Sequence, residues 1–147
     1  MENIKLIIII PSYLEEENLR IILPRLQAEL KKIENNFEVL VIDTQEKMDN
    51  TQEVCRLNQV NYINRINGNN YGDAVRTGIK LARGEYIIFM DADGSHAPEF
   101  IKNLYDYKDN YDVVIASRYV VGGATDNNKL LIFMSLILNI SYGLILG

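Results

Sequence analysis

The residues best placed to do chemistry lie in the run Met90-Asp91-Ala92-Asp93-Gly94-Ser95-His96. In an extended chain, side chains at i and i+2 point the same way. Asp91 and Asp93 can therefore both face the crevice at the carboxyl end of the sheet. Two carboxylates held together repel unless a cation lies between them. Hard oxygen ligands with room for phosphate oxygens suit Mg²⁺ or Mn²⁺. A solvated Asp-Gly turn is the competing reading. The apolar run Tyr86–Met90 just before the pair favours the site, because open α/β sheets bind ligands beyond the carboxyl ends of their strands.

Four other places carry potential chemistry. In Pro11-Ser12-Tyr13-Leu14-Glu15-Glu16-Glu17, acidic residues open a helix, which the helix dipole favours, while Tyr13 offers a face for stacking on a base. Asp43 ends a second apolar run and reads either as a turn residue or as an acceptor for a base or ribose. In Asn70-Tyr71-Gly72-Asp73-Ala74, Gly72 permits close backbone approach or caps a helix. Arg118, before Gly122-Gly123, reads either as a surface residue or as a bidentate phosphate ligand. The single histidine, His96, reads as structural or capping, and the single cysteine, Cys55, as a small packed apolar residue.

These residues need a frame, and the pattern supplies one. Ile4–Ile10 is continuously apolar and β-branched, as a strand buried on both faces should be. Leu19, Ile22, Leu23, Leu26, Leu30 and Ile33 recur at helical spacing, with Pro24 expected to kink that helix or start a second. Phe37–Asp43 and Tyr86–Met90 read as strands, Val60–Ile63 as a weaker one and Asp112–Ala116 as a further one. Thr51–Leu57, the stripe Ala74, Val75, Gly78, Ile79 and Ala82, and Ala97–Tyr107 read as helices. Asn and Gly content marks Asn61–Asn70 and Tyr119–Asn128 as loops. Strands alternating with helices imply an α/β fold with a mostly parallel sheet covered by helices.

The chain has 147 residues, 48% of them apolar, and a formal net charge of −5. That charge argues against nucleic acid, which needs a basic surface. A lone cysteine and the lack of a secretory pattern at the start point to a reducing, cytoplasmic setting. From Leu130 to Gly147 there is no charged residue. This segment reads either as a core helix whose packing partners lie beyond it or as a helix on a membrane surface. So apolar an end suggests a fragment of something longer.

Taken in order, Ile-Ile-Pro-x-Tyr-x-Glu at 9–15, Val-Ile-Asp at 41–43, Tyr71-Gly72-x-Ala74-x3-Gly78, Met90-Asp91-Ala92-Asp93-x-Ser95-His96-x-Pro98-Glu99 and Ser117-Arg118-Tyr119-Val120-x-Gly122-Gly123 resemble the family 2 glycosyltransferases. The Asp-Ala-Asp and Ser-Arg-Tyr pieces look most like dolichol-phosphate mannosyltransferases and bacterial polyprenyl-phosphate glycosyltransferases. The resemblance implies a GT-A fold, a Rossmann-like three-layer sandwich, with residues 1–128 binding a nucleotide-diphosphate sugar (a GDP- or UDP-sugar). Residues 129–147 would be an apolar helix on the acceptor or membrane side, with a peripheral contact to the inner face of the membrane. By family likeness Pro11, Tyr13, Glu15 and Asp43 hold the nucleoside. Asp91, Ala92, Asp93 and Ser95 hold the diphosphate and a Mg²⁺ or Mn²⁺ ion, and Arg118 contacts phosphate. The implied reaction is an inverting transfer to a polyprenyl phosphate, whose oxygen is already anionic and needs no general base. Transfer to a glycan hydroxyl, or nucleotide-sugar binding without turnover, are the alternatives. Thr44 stands where the family has a second acidic residue, and Lys129 is the only cation after the Gly-Gly pair.

Overall fold

The computed structural model describes residues 4–117 and 129–146. The chain divides into two compact units, Met1–Val114 and Ile115–Gly147. In the first, strands β1 (Leu6–Pro11), β2 (Phe37–Asp43), β3 (Asn61–Asn64) and β4 (Tyr86–Phe89) alternate with helices α1 (Glu16–Ile33), α2 (Thr51–Leu57) and α3 (Tyr71–Leu81). A 3₁₀ turn, Pro98–Phe100, leads into α4 (Ile101–Tyr105). The second unit contains α5 (Lys129–Leu146).

The four strands form one parallel sheet in the order β3-β2-β1-β4. β1 is central, and all six of its residues are buried. That is why its sequence is a run of isoleucines rather than an alternation: helices cover both of its faces. Leu6, Ile8 and Ile10 pack with Leu19, Leu23 and Leu26 of α1, Val54 and Cys55 of α2, and Ile101 of α4. Ile7 and Ile9 face the other way, toward Leu40, Ile42 and Ala74 of α3. The result is a three-layer α/β/α sandwich. α3 lies so close to the sheet that a Cβ on Gly78 would stand 2.5 Å from Ile9 Cγ2. Only glycine permits that approach.

Several expectations change here. Pro24 neither divides nor ends α1, which runs unbroken over Glu16–Ile33. Pro24 is on the exposed side, where the carbonyl it leaves unpaired can meet water. The weaker strand expected at Val60–Ile63 is present as β3, Asn61–Asn64, which pairs with Leu40–Asp43, so the loop expected from Asn61 begins only after it. The helix expected over Ala97–Tyr107 is a 3₁₀ turn followed by the short α4. Asp112–Ala116 is not a strand: Val113 and Ile115 are 73% and 80% exposed. β-branched residues favour an extended chain, but a strand needs a ladder partner, and among the described residues this segment has none. The expected loop Tyr119–Asn128 lies outside the described residues.

In the second unit, α5 has no acidic residue in its first turn and no basic residue in its last. Phe133, Met134, Ile137, Leu138 and Leu144 are exposed on it. No helix among the described residues is long and apolar enough to cross a membrane.

Candidate functional site

The chain leaves β1 toward β2 on one side and returns to β4 on the other. Their carboxyl ends therefore flank a topological switch point, the place where open α/β sheets bind ligands. A crevice of about 570 Å³ opens there, lined by Pro11, Ser12, Tyr13, Glu15, Arg65, Asn69, Tyr71, Asp91, Ala92 and Asp93. Six of the nine residues given a site role from sequence meet in it: Pro11, Tyr13, Glu15, Asp91, Ala92 and Asp93.

β4, expected from its apolar run to be a buried strand, alternates instead, with Ile87 and Phe89 40% and 38% exposed, and the alternation continues past its end. Met90 and Ala92 are buried in the core, while Asp91 and Asp93 turn outward. The turn that follows needs Gly94 at φ +83°, a left-handed conformation natural to glycine. Asp93 Oδ1 accepts the main-chain N–H of Ser95 at 2.9 Å. Hydrogen bonds from the Ser95 side chain and main chain hold the Asp93 carboxyl below the usual carboxylate range. Ser95 itself is not among the crevice-lining residues. The main-chain N–H of Asp91 donates to His96 Nδ1 at 3.1 Å. The sequence-based structural role for His96 thus has a definite partner.

At the end of β1, Leu14 adopts φ +58°, a conformation that costs a branched residue about 1–2 kcal/mol. This turn leaves Tyr13 52% exposed at one wall, and Tyr71, 58% exposed, stands at another. Desolvation, and then the charge of Asp91, push the Tyr71 hydroxyl pKa up. Glu15 accepts a hydrogen bond from Asn18 Nδ2 at 2.7 Å.

Asp43 is placed differently. It is buried, and Tyr62 donates a hydrogen bond to its Oδ2 at 3.2 Å. Burial pushes its carboxyl pKa up. It is not among the crevice-lining residues, and its carbonyl accepts the main-chain N–H of Arg65 at 2.9 Å. The buried Thr44 directs its hydroxyl to the Glu46 carbonyl at 2.6 Å. Arg118 lies outside the described residues. Burial raises the Cys55 thiol pKa to about 12, which suits an inert packed residue.

Sequence reasoning missed Arg65. It is 5% exposed and lines the crevice. Its guanidinium donates to the carbonyls of Ser12, Asn69 and Asn70, the last at 3.2 Å, and so joins the turn after β1 to the loop before α3. Its Nε–H, like Ser12 Oγ, is buried without a hydrogen-bond partner. The available signal was position: an arginine immediately after a strand, at the sheet's carboxyl edge.

The crevice electrostatics follow from these assignments. Three carboxylates, Glu15, Asp91 and Asp93, share the lining with one cation, Arg65. Among the described residues no group of three or more His, Cys, Asp or Glu side chains could hold a metal ion. The Asp91–Asp93 pair therefore fits a hard divalent cation only as part of a shared site, in which a ligand's oxygens and water complete the coordination.

Comparison with known proteins shows the family and the fold. Residues 7–145 match the family model described as Glycosyl transferase family 2. A dolichol-phosphate mannosyltransferase of Pyrococcus furiosus is 35% identical over 127 residues, which cover 84% of this chain and 36% of that protein. A dolichol-phosphate mannosyltransferase of Saccharomyces cerevisiae is 28% identical over 131 residues, covering 86% and 49%. This chain thus spans less than half the length of either. Among solved structures, Mycobacterium tuberculosis glucosyl-3-phosphoglycerate synthase with Mn²⁺, uridine diphosphate and phosphoglyceric acid superposes with a TM-score of 0.61. The identity is 14%, with 74% of this chain and 40% of that one covered.

Proposed function

Since this chain belongs to glycosyl transferase family 2 and has the GT-A fold, we propose that its crevice holds a nucleotide-diphosphate sugar and that the sugar passes to a polyprenyl phosphate. The observation that carries this reading is the convergence of Asp91 and Asp93 on the switch-point crevice, beside the exposed ring of Tyr13.

The base stacks on Tyr13, and the ribose lies along Pro11 and Glu15. The diphosphate faces Asp91 and Asp93. A diphosphate brought to three carboxylates and one arginine would be repelled, so a divalent cation is the natural bridge. Asp91 and Asp93 would hold Mg²⁺ or Mn²⁺. Such an ion supplies charge neutralisation of the departing diphosphate. The chain's own residues orient the donor and keep its anomeric carbon in line for attack. An oxygen of the acceptor phosphate forms the new bond to that carbon as the bond to the diphosphate breaks, with inversion. Because the acceptor is already an anion, no crevice residue has to remove a proton. Two named relatives, both dolichol-phosphate mannosyltransferases, support a lipid phosphate as acceptor. The exposed apolar residues of α5, which carries no charge after Lys129, support a peripheral membrane contact. Arg118 is assigned to acceptor phosphate on its sequence position.

The test is a thermal-shift series with UDP-glucose and GDP-mannose, with and without Mn²⁺, followed by transfer of labelled sugar to polyprenyl phosphate. A ligand at about 100 times its Kd stabilises by about 2.7 kcal/mol, which a melting curve resolves. Asp93→Ala should abolish the Mn²⁺-dependent part of the shift. A shift that survives Asp93→Ala would move the cation elsewhere. Binding without labelled lipid product would leave a nucleotide-sugar-binding unit.

A further inference from the structure

We propose that His96 is a positioning residue for Asp91, acting through its main-chain amide. The proposal rests on the crevice being a nucleotide-sugar site. The ladder between β4 and β1 ends when Met90 N–H donates to the Ile9 carbonyl at 3.1 Å. Asp91 is the first residue beyond it, and its N–H turns to His96 Nδ1 at 3.1 Å. With Nδ1 accepting, the ring proton sits on Nε2, which faces Asp91 Oδ2 at 3.7 Å. One ring thus fixes the peptide plane from which the carboxylate hangs and walls one side of that carboxylate. The tip of the turn is open: around Gly94 nothing lies within 4 Å of where a Cβ would be. Its own hydrogen bonds hold it: Asp91 N–H to His96, and the Ser95 N–H and hydroxyl to Asp93. Each carboxylate of the pair is therefore set by a residue a few positions downstream. Outer partners of this kind typically change metal affinity about 10–100-fold when removed.

His96→Asn keeps an acceptor near the place of Nδ1, His96→Gln moves the amide outward, and His96→Ala removes it. The side chain is half exposed, so all three variants should unfold at the wild-type temperature without ligand. The measurement is Mn²⁺ affinity by electron paramagnetic resonance, with saturating UDP or GDP present. His96→Ala and His96→Gln should weaken Mn²⁺ binding about tenfold or more, while His96→Asn stays within about threefold of wild type. Wild-type affinity in His96→Ala, or a loss in His96→Asn equal to that in His96→Ala, would overturn the proposal. So would a drop in unliganded melting temperature that accounts for the whole effect. A wild-type chain without nucleotide-dependent Mn²⁺ binding would instead overturn the donor-site reading beneath it.

Discussion

Replacing Arg65 by alanine tests whether the crevice is held open by one buried guanidinium. Arg65 donates to three carbonyls, of Ser12, Asn69 and Asn70, on two segments far apart in sequence. A hydrogen bond from a charged group contributes about 1.5–3 kcal/mol, so three contribute roughly 6 kcal/mol. The unpaired Nε–H subtracts a desolvation cost of about 1–3 kcal/mol. Arg65→Ala should therefore destabilise by about 3–5 kcal/mol, a large share of the ~5–15 kcal/mol typical of a domain. Arg65→Lys keeps the charge but not the fork and should cost about half as much. Urea unfolding with a fitted m-value measures both. A loss under about 1 kcal/mol for Arg65→Ala would refute the reasoning, since the three carbonyls would then find water as easily as the guanidinium.

Three further outcomes are expected. Gly78→Ala should destabilise by about 1–2 kcal/mol, the clash with Ile9 outweighing alanine's better helix propensity. The loss should shrink in an Ile9→Ala background, as a double-mutant cycle would reveal. Pro24→Ala should stabilise α1 by about 1–2 kcal/mol: restoring an interior helix hydrogen bond gains about 3, and the freer unfolded chain returns about 1. Burial raises the Asp43 pKa above its unfolded value. Its contribution to stability is thus fully present at acid pH and fades as pH rises through the folded pKa. Asp43→Asn has no such loss, so its stability relative to wild type should improve from about pH 4 to pH 7. A flat difference across that range, measured by denaturant titration, would contradict the assignment.

The parts legible in the sequence were those governed by local periodicity. The unbroken isoleucines of β1 could only be a two-sided interior strand. The two-residue spacing of Asp91 and Asp93 set both carboxylates on one side. Arg65 was illegible because its role lies in convergence: its partner Ser12 is distant in the chain, and the Asn-rich segment around it reads as an ordinary loop. Asp43 was legible only in part. Its place at a strand end is right, but only the fold shows the carboxylate buried with Tyr62 beside it. Asp112–Ala116 has strand-like composition, yet composition cannot supply the neighbour a ladder requires.

β1 and β4 lie side by side, although most of the first unit separates them in sequence. The crevice straddles that seam: Pro11–Glu15 are one jaw and Asp91–Asp93 the other. Neither jaw can form a site alone, and closing so long a loop is an entropic cost met before the contact gives anything back. On the proposed reading, affinity for a nucleotide arises only after the high-contact-order pairing is complete. A bound ligand clamps the joint that is slowest to assemble, so substrate should act as a kinetic brake on unfolding as well as a thermodynamic weight on the folded side.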